Sequence, residues 1–185
     1  MKNKRKIIKI IGCVLFVFAI GFFCLQMGYL FIHAKHQVEY VDNRLFYMIN
    51  IVCILCLLGA LLLLFTFTKA FRLIAISIVG IFIMMNAFLL VAGNQQVKNI
   101  TSISPGFKNV LSIKEKVDSG EAVYYRVHYG ILARPKEKLP YTTVSDFTVK
   151  WLAKDVAAVT YMTKDDTIQQ FIGTYGDRGN GIAYY

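Results

Sequence analysis

Three stretches, residues 10–32, 45–67 and 73–92, each run for at least 20 residues without one acidic or basic side chain. At about 1.5 Å of rise per residue, a helix of that length crosses roughly 30 Å of hydrocarbon. Lipid offers peptide groups no hydrogen-bond partner, so a spanning segment must close its backbone bonds within itself. The pattern therefore predicts three transmembrane helices over 10–32, 45–67 and 73–92, with a basic N-terminal segment over 1–9. The first run is longer than the about 7–15 apolar residues of a cleaved signal, and no small-x-small site follows it. It reads as a retained helix. Ile10-Ile11-Gly12-Cys13 spells a lipobox, but only a stub broken by Lys9 precedes it.

The chain carries a formal charge of +10, which invites a nucleic-acid reading until it is divided by segment. From Gly93 onward there are 12 Lys and Arg against 9 Asp and Glu, so that half is only +3. The rest of the excess flanks the apolar runs, at Lys2, Lys4, Arg5, Lys6 and Lys9, then Lys69 and Arg72. Cations beside apolar runs serve as topology determinants and meet anionic headgroups. A phosphate-tracking groove would gather them on one folded surface, so nucleic acid is not expected as a partner. Cations kept on the cytoplasmic side put the N-terminus and the turn near Lys69 inside, and the first loop and everything after Ala92 outside. All four cysteines lie within the apolar runs, leaving the outer part without a disulfide framework. That composition points to the cell membrane of a bacterial envelope.

The runs hold no ionisable side chain of the kind that marks an ion or proton path. Their conspicuous polar residues are Gln26, Asn50 and Asn86, each on the order of 5–9 Å from its helix centre toward the outer face at about 1.5 Å per residue. Amides in hydrocarbon seek partners, so these three are expected to meet one another or line the helix interfaces. Gly12, Ala19, Gln26 and His33 recur every seven residues on the first helix, and Ser77, Gly80, Met84 and Ala87 form a comparable low-volume stripe on the third. Both stripes suit close helix approach. Cys53 and Cys56 have ligand-like spacing but no further ligands beside them, and read as packing residues.

Residues 93–106 are polar and aperiodic, ending in Pro105-Gly106, and read as a linker. Residues 107–185 alternate as strands do. The runs 110–117 and 122–132 flank the turn Asp118-Ser119-Gly120-Glu121, and 156–162 and 167–174 flank Thr163-Lys164-Asp165-Asp166. A charged, Pro-bounded connection over 134–140, a strand over 147–152 and a short final strand over 182–185 complete the pattern. The fold class is thus an α-helical membrane bundle followed by a small all-β antiparallel sheet or sandwich.

Chemistry is sparse. The outer part has one histidine, His128, and no G-x-S-x-G elbow or S-x-x-K motif. Ser112 with Lys114 or Lys116 draws a Ser-Lys dyad on paper, but lysines exposed on a strand keep too high a pKa for a base. Asp165 and Asp166 are ordinary turn formers. His33, His36 and Glu39 are spaced so that one helical turn gathers three zinc-type ligands, with no clear fourth. Gly176, Asp177, Arg178 and Asn180 form a glycine-rich loop whose amides and guanidinium suit a partner or an anion. Tyr124, Tyr175, Tyr184 and Tyr185 read as exposed aromatics for recognition or for the headgroup level.

No family motif emerges, and no catalytic, cofactor or metal site is assigned. The pattern suggests a non-enzymatic sensor, immunity or accessory protein whose outer β domain binds a partner or ligand. Its helices would meet lipid and another membrane protein, or a second copy. The alternatives are an envelope hydrolase acting through His128 or Asp177, and an accessory subunit of a transporter.

Overall fold

The computed structural model of the chain describes residues 2–127, 130–140, 142–143, 147–175 and 182–184. It divides into two compact units, residues 1–36 with 44–92, and residues 37–43 with 93–185. The first is helical, with α1 (Lys2–His36), α2 (Arg44–Leu64) and α3 (Lys69–Gln96). All three are long and apolar enough to cross a membrane. Their large apolar side chains face outward, Phe31 and Phe88 at about 70 % exposure, as a lipid-facing surface requires.

Helices α1 and α2 run antiparallel with backbones close together. A Cβ added at Gly12 would lie 2.9 Å from the Leu64 side chain, Gly59 faces Leu15 at 3.2 Å, and Ala19 is buried. The Cys53 thiol donates to the Ala19 carbonyl at 3.4 Å. Low-volume residues permit this approach, and dispersion between the backbones rewards it. The stripe expected on α3 lies elsewhere: Ser77, Met84 and Ala87 are exposed, and Gly80 has nothing within 4 Å of its Cβ position. Asn86 is buried instead, and it turns toward α2 the face that also carries Val79, Ile83 and Leu90. A partner for a buried amide outweighs the packing of small side chains. Helix α2 stops at Leu64, short of the expected residue 67. Thr68 caps α3, its hydroxyl accepting from the Phe71 N–H at 3.4 Å and its carbonyl from the Arg72 N–H at 3.1 Å.

The second unit is a β domain of two antiparallel sheets. The strands are β1 (Glu39–Tyr40), β2 (Val97–Ile103), β3 (Val110–Lys116), β4 (Ala122–Val127), β5 (Leu132–Lys138), β6 (Thr148–Ala153), β7 (Val156–Met162), β8 (Ile168–Thr174) and β9 (Ile182–Tyr184). One sheet has the order β1-β5-β4-β3-β2 and the other β6-β7-β8-β9. Leu111, Ile113 and Tyr124 from the first meet Ala157, Val159, Tyr161 and Phe171 from the second in a closed core. Tyr124 and Tyr161 both set ring edges against Phe171, at 6.1 and 6.4 Å between centroids.

Three expectations are corrected. Residues 97–103, read as linker, are strand β2, paired with β3 from Val97↔Lys116 to Ile103↔Val110. As an edge strand it has one neighbour and mixed burial, which erased the alternation. Residues 132–138, read mostly as a connection, are β5. Its Pro135 lies opposite Tyr125 where the register shifts, beyond the two residues that pair with β1. A residue without an N–H is tolerated at a bulge on an unpaired edge. Finally, the α1–α2 connection is part of the β domain. Gln37, at φ 52, ends α1 in the left-handed conformation, and Val38, Tyr40 and Val41 are buried.

Candidate functional site

Strand β3 is buried on both faces. Leu111, Ile113 and Glu115 point one way, while Ser112 and Lys114 point toward the seven-residue connector 37–43. Lys114 is only 5 % exposed, and its Nζ donates to Glu39 Oε2 and to Asn43 Oδ1, both at 2.6 Å. The ammonium also lies 4.7 Å from the centre of the Tyr125 ring. Ser112 Oγ donates to the Val41 carbonyl at 3.1 Å, and the Val41 N–H to the Ile131 carbonyl at 2.9 Å. The loop between the first two helices is thereby clamped onto the sheet by main chain, hydroxyl and a buried cation.

Burial pushes the Lys114 ammonium below its ordinary 10.5, and the bond and charge of Glu39 oppose that shift. Burial, then the Glu39 carboxylate that accepts from its hydroxyl, drives the Tyr125 phenol well above its usual range. The Tyr125 phenol beside the pair is therefore held in its protonated form. Lys114, expected to be exposed on its strand, is buried because the connector covers it. Ser112 has no exposed surface and its proton is committed to Val41, so this geometry positions a loop.

A second constellation lies in the helical unit. Gln26 Nε2 donates to Asn50 Oδ1 at 3.0 Å and to the Phe46 carbonyl at 2.8 Å. Asn50 Nδ2 donates to Asn86 Oδ1 at 3.4 Å, and Asn86 Nδ2 to the Phe82 carbonyl at 2.9 Å. The three amides form a chain of donors across α1, α2 and α3, ending on a backbone carbonyl. An amide both donates and accepts, so three in series satisfy one another without any ionised group.

A third feature escaped the sequence reading. Between β2 and β3, Phe107 stands 84 % exposed with φ 55. Buried Ser104 holds the loop, its carbonyl accepting from the Phe107 N–H at 2.9 Å and its hydroxyl from the Asn109 N–H at 3.1 Å. Asn109 Nδ2 donates to the Lys154 carbonyl at 3.0 Å, tying the loop to the turn after β6. A large aromatic held in water and in a left-handed conformation is costly, and such costs collect at functional positions. Its one signal in the sequence is the preceding Pro105-Gly106, which equally suits the end of a linker.

The remaining candidates are placed as follows. Glu39 is engaged by Lys114, and no group of three His, Cys, Asp or Glu able to hold a metal is found among the described residues. Asp165 and Asp166 sit in the β7–β8 turn, closed by the Asp166 N–H on the Thr163 carbonyl at 3.1 Å. Tyr124 is buried against the second sheet and Tyr175, which follows β8, packs on Trp151 at 5.6 Å, so neither offers the surface expected of it. Burial raises the pKa of both phenols. Gly176, Asp177, Arg178 and Asn180, together with His128 and Tyr185, lie outside the described residues, as does the side chain of Tyr184. No family model, curated protein or solved structure matches the chain.

Proposed function

We propose that this chain is a non-enzymatic membrane protein of the cell envelope whose outer β domain binds a partner or ligand and bears on the α1–α2 hairpin. The observation that carries this reading is the connector. Residues 37–43, which join two membrane-type helices, supply an edge strand to the β domain and grip a lysine buried in it. A loop that only joined two helices would need neither. Binding energy delivered to the domain acts on the strand between α1 and α2, and the amide chain links those helices to α3. Phe107, held out by a braced loop, supports recognition of a partner with an apolar pocket.

The test is photocrosslinking in native membranes with a benzophenone side chain at position 107. A discrete crosslinked species is expected, and it should be absent when the probe replaces Lys164 in the β7–β8 turn. Equal, diffuse labelling from both positions would remove the recognition role.

A further inference from the structure

We propose that the groove between α2 and α3 is a binding site for an anionic phospholipid, with one acyl chain in the groove and the headgroup held by Arg72 and Lys69. The groove is open along one side and has a volume of about 260 Å³. Ile54, Leu58 and Leu61 recur on one face of α2, and Phe71, Ala75 and Ile78 on one face of α3, so the lining is hydrocarbon and aromatic only. An apolar cavity of about 150 Å³ already stays dry and takes up benzene. A groove larger than that, in helices built for lipid, accepts a length of acyl chain. Ala75 is the smallest of the side chains that line it.

The charges around it name the lipid class. At the turn that closes one end, Phe65 tilts against Phe67 at 5.8 Å and Phe67 stacks on Phe71 at 4.6 Å between centroids, an aromatic cluster of the kind found at a headgroup boundary. Arg72 follows Phe71 and lies one turn before Ala75, on the flank of the groove-lining face, while Lys69 opens the helix. Both are exposed. Residues 1–36 and 44–92 contain no Asp or Glu at all, so these cations have no carboxylate side chain within their own unit. Gly12 packs on Leu63 and Leu64, which brings the basic start of α1 to the same end as this turn. Six Lys and Arg, at 4, 5, 6, 9, 69 and 72, therefore gather at one end of a unit whose sequence has no Asp or Glu. A headgroup phosphate supplies the counter-charge, and a net anionic lipid leaves none of it cancelled by a choline or ethanolamine.

The experiment is native mass spectrometry of the full-length protein released from nanodiscs of phosphatidylglycerol or phosphatidylcholine. Wild type should retain one phosphatidylglycerol in preference to phosphatidylcholine. Lys69→Gln with Arg72→Gln should weaken that retention by about 30-fold. Ala75→Phe, which fills the groove and leaves every cation in place, should abolish it, and Ile76→Phe, on the exposed side, should not. Should Ala75→Phe fail to fold by circular dichroism, Leu58→Phe fills the groove from α2. Equal retention of the two lipids, or undiminished phosphatidylglycerol on the filled-groove variant, would overturn the site and leave only general attraction to a basic surface.

Discussion

At the level of single residues, the Lys114 clamp makes an asymmetric prediction. Glu39 is 32 % exposed while Lys114 is 5 % exposed, so the two halves of the pair are not equivalent. Glu39→Gln strands a buried cation and should destabilise the β domain by about 2–3 kcal/mol, less than a fully buried pair loses because Asn43 still accepts from the ammonium. Lys114→Met leaves a carboxylate that water can solvate and should cost far less, or stabilise. Trp151 is the chain's single tryptophan and lies in β6, so its fluorescence during denaturant unfolding reads this domain directly. The sign of the pH dependence follows from the lowered Lys114 pKa. Between the folded value and 10.5 the unfolded chain binds more protons, so stability rises with pH across that window and the gain is lost as pH falls through the folded pKa. The difference in unfolding midpoint between wild type and Lys114→Met should therefore move in favour of wild type as pH rises through that window, while the phenols of Tyr124, Tyr125 and Tyr175, whose pKa burial raises, lower the stability of both proteins alike above their unfolded value of 10.0. At the β2–β3 loop, Phe107→Gly removes left-handed strain at the expense of backbone freedom, so stability should stay within about 1 kcal/mol of wild type. Crosslinking of a partner from a neighbouring probe at Lys108 should nonetheless drop, which separates a recognition residue from a structural one.

Elements obey two different solvents. In the helical unit, composition was enough to find α1, α2 and α3, because 20 uncharged apolar residues have few other stable fates. Which face of α3 turns inward was not legible. Two stripes competed, and the energy of one buried amide decided for Asn86 over Ser77, Met84 and Ala87. Asn50 is the hub of the donor chain, accepting from Gln26 and donating to Asn86. Asn50→Leu should therefore loosen the bundle by about 1–2 kcal/mol, near the upper end for such contacts, whereas Ser77→Leu on the exposed face should be neutral. Unfolding in bicelles followed by far-ultraviolet circular dichroism distinguishes the two. In the β domain, β3, β7 and β8 were legible because they alternate or run apolar between clear turns. Strands β2 and β5 were missed because both are edges for most of their length, where one-sided pairing relaxes the alternation and admits Pro135.

For the whole molecule, the arrangement of cations carries the topological prediction. The basic end of the helical unit should face the cytoplasm and the β domain the outside. In a background with the four native cysteines replaced, a membrane-impermeant maleimide added to intact cells should label Phe107→Cys and spare Lys4→Cys until the membrane is opened. The reverse pattern would invert the orientation and with it the proposed recognition role.

Lipid compatibility and strand alternation are local properties, summed over neighbouring residues, and so the chain's own order of residues determined that three apolar helices precede a β domain. The amides Gln26, Asn50 and Asn86 could be marked as partners for the same reason, since each is an uncompensated dipole in hydrocarbon. Only the tertiary structure decided that residues 37–43 belong to the β domain and that Lys114 is buried. Glu39 and Lys114 stand 75 positions apart, and no local pattern encodes a contact whose energy exists only once the sheet has closed over the connector.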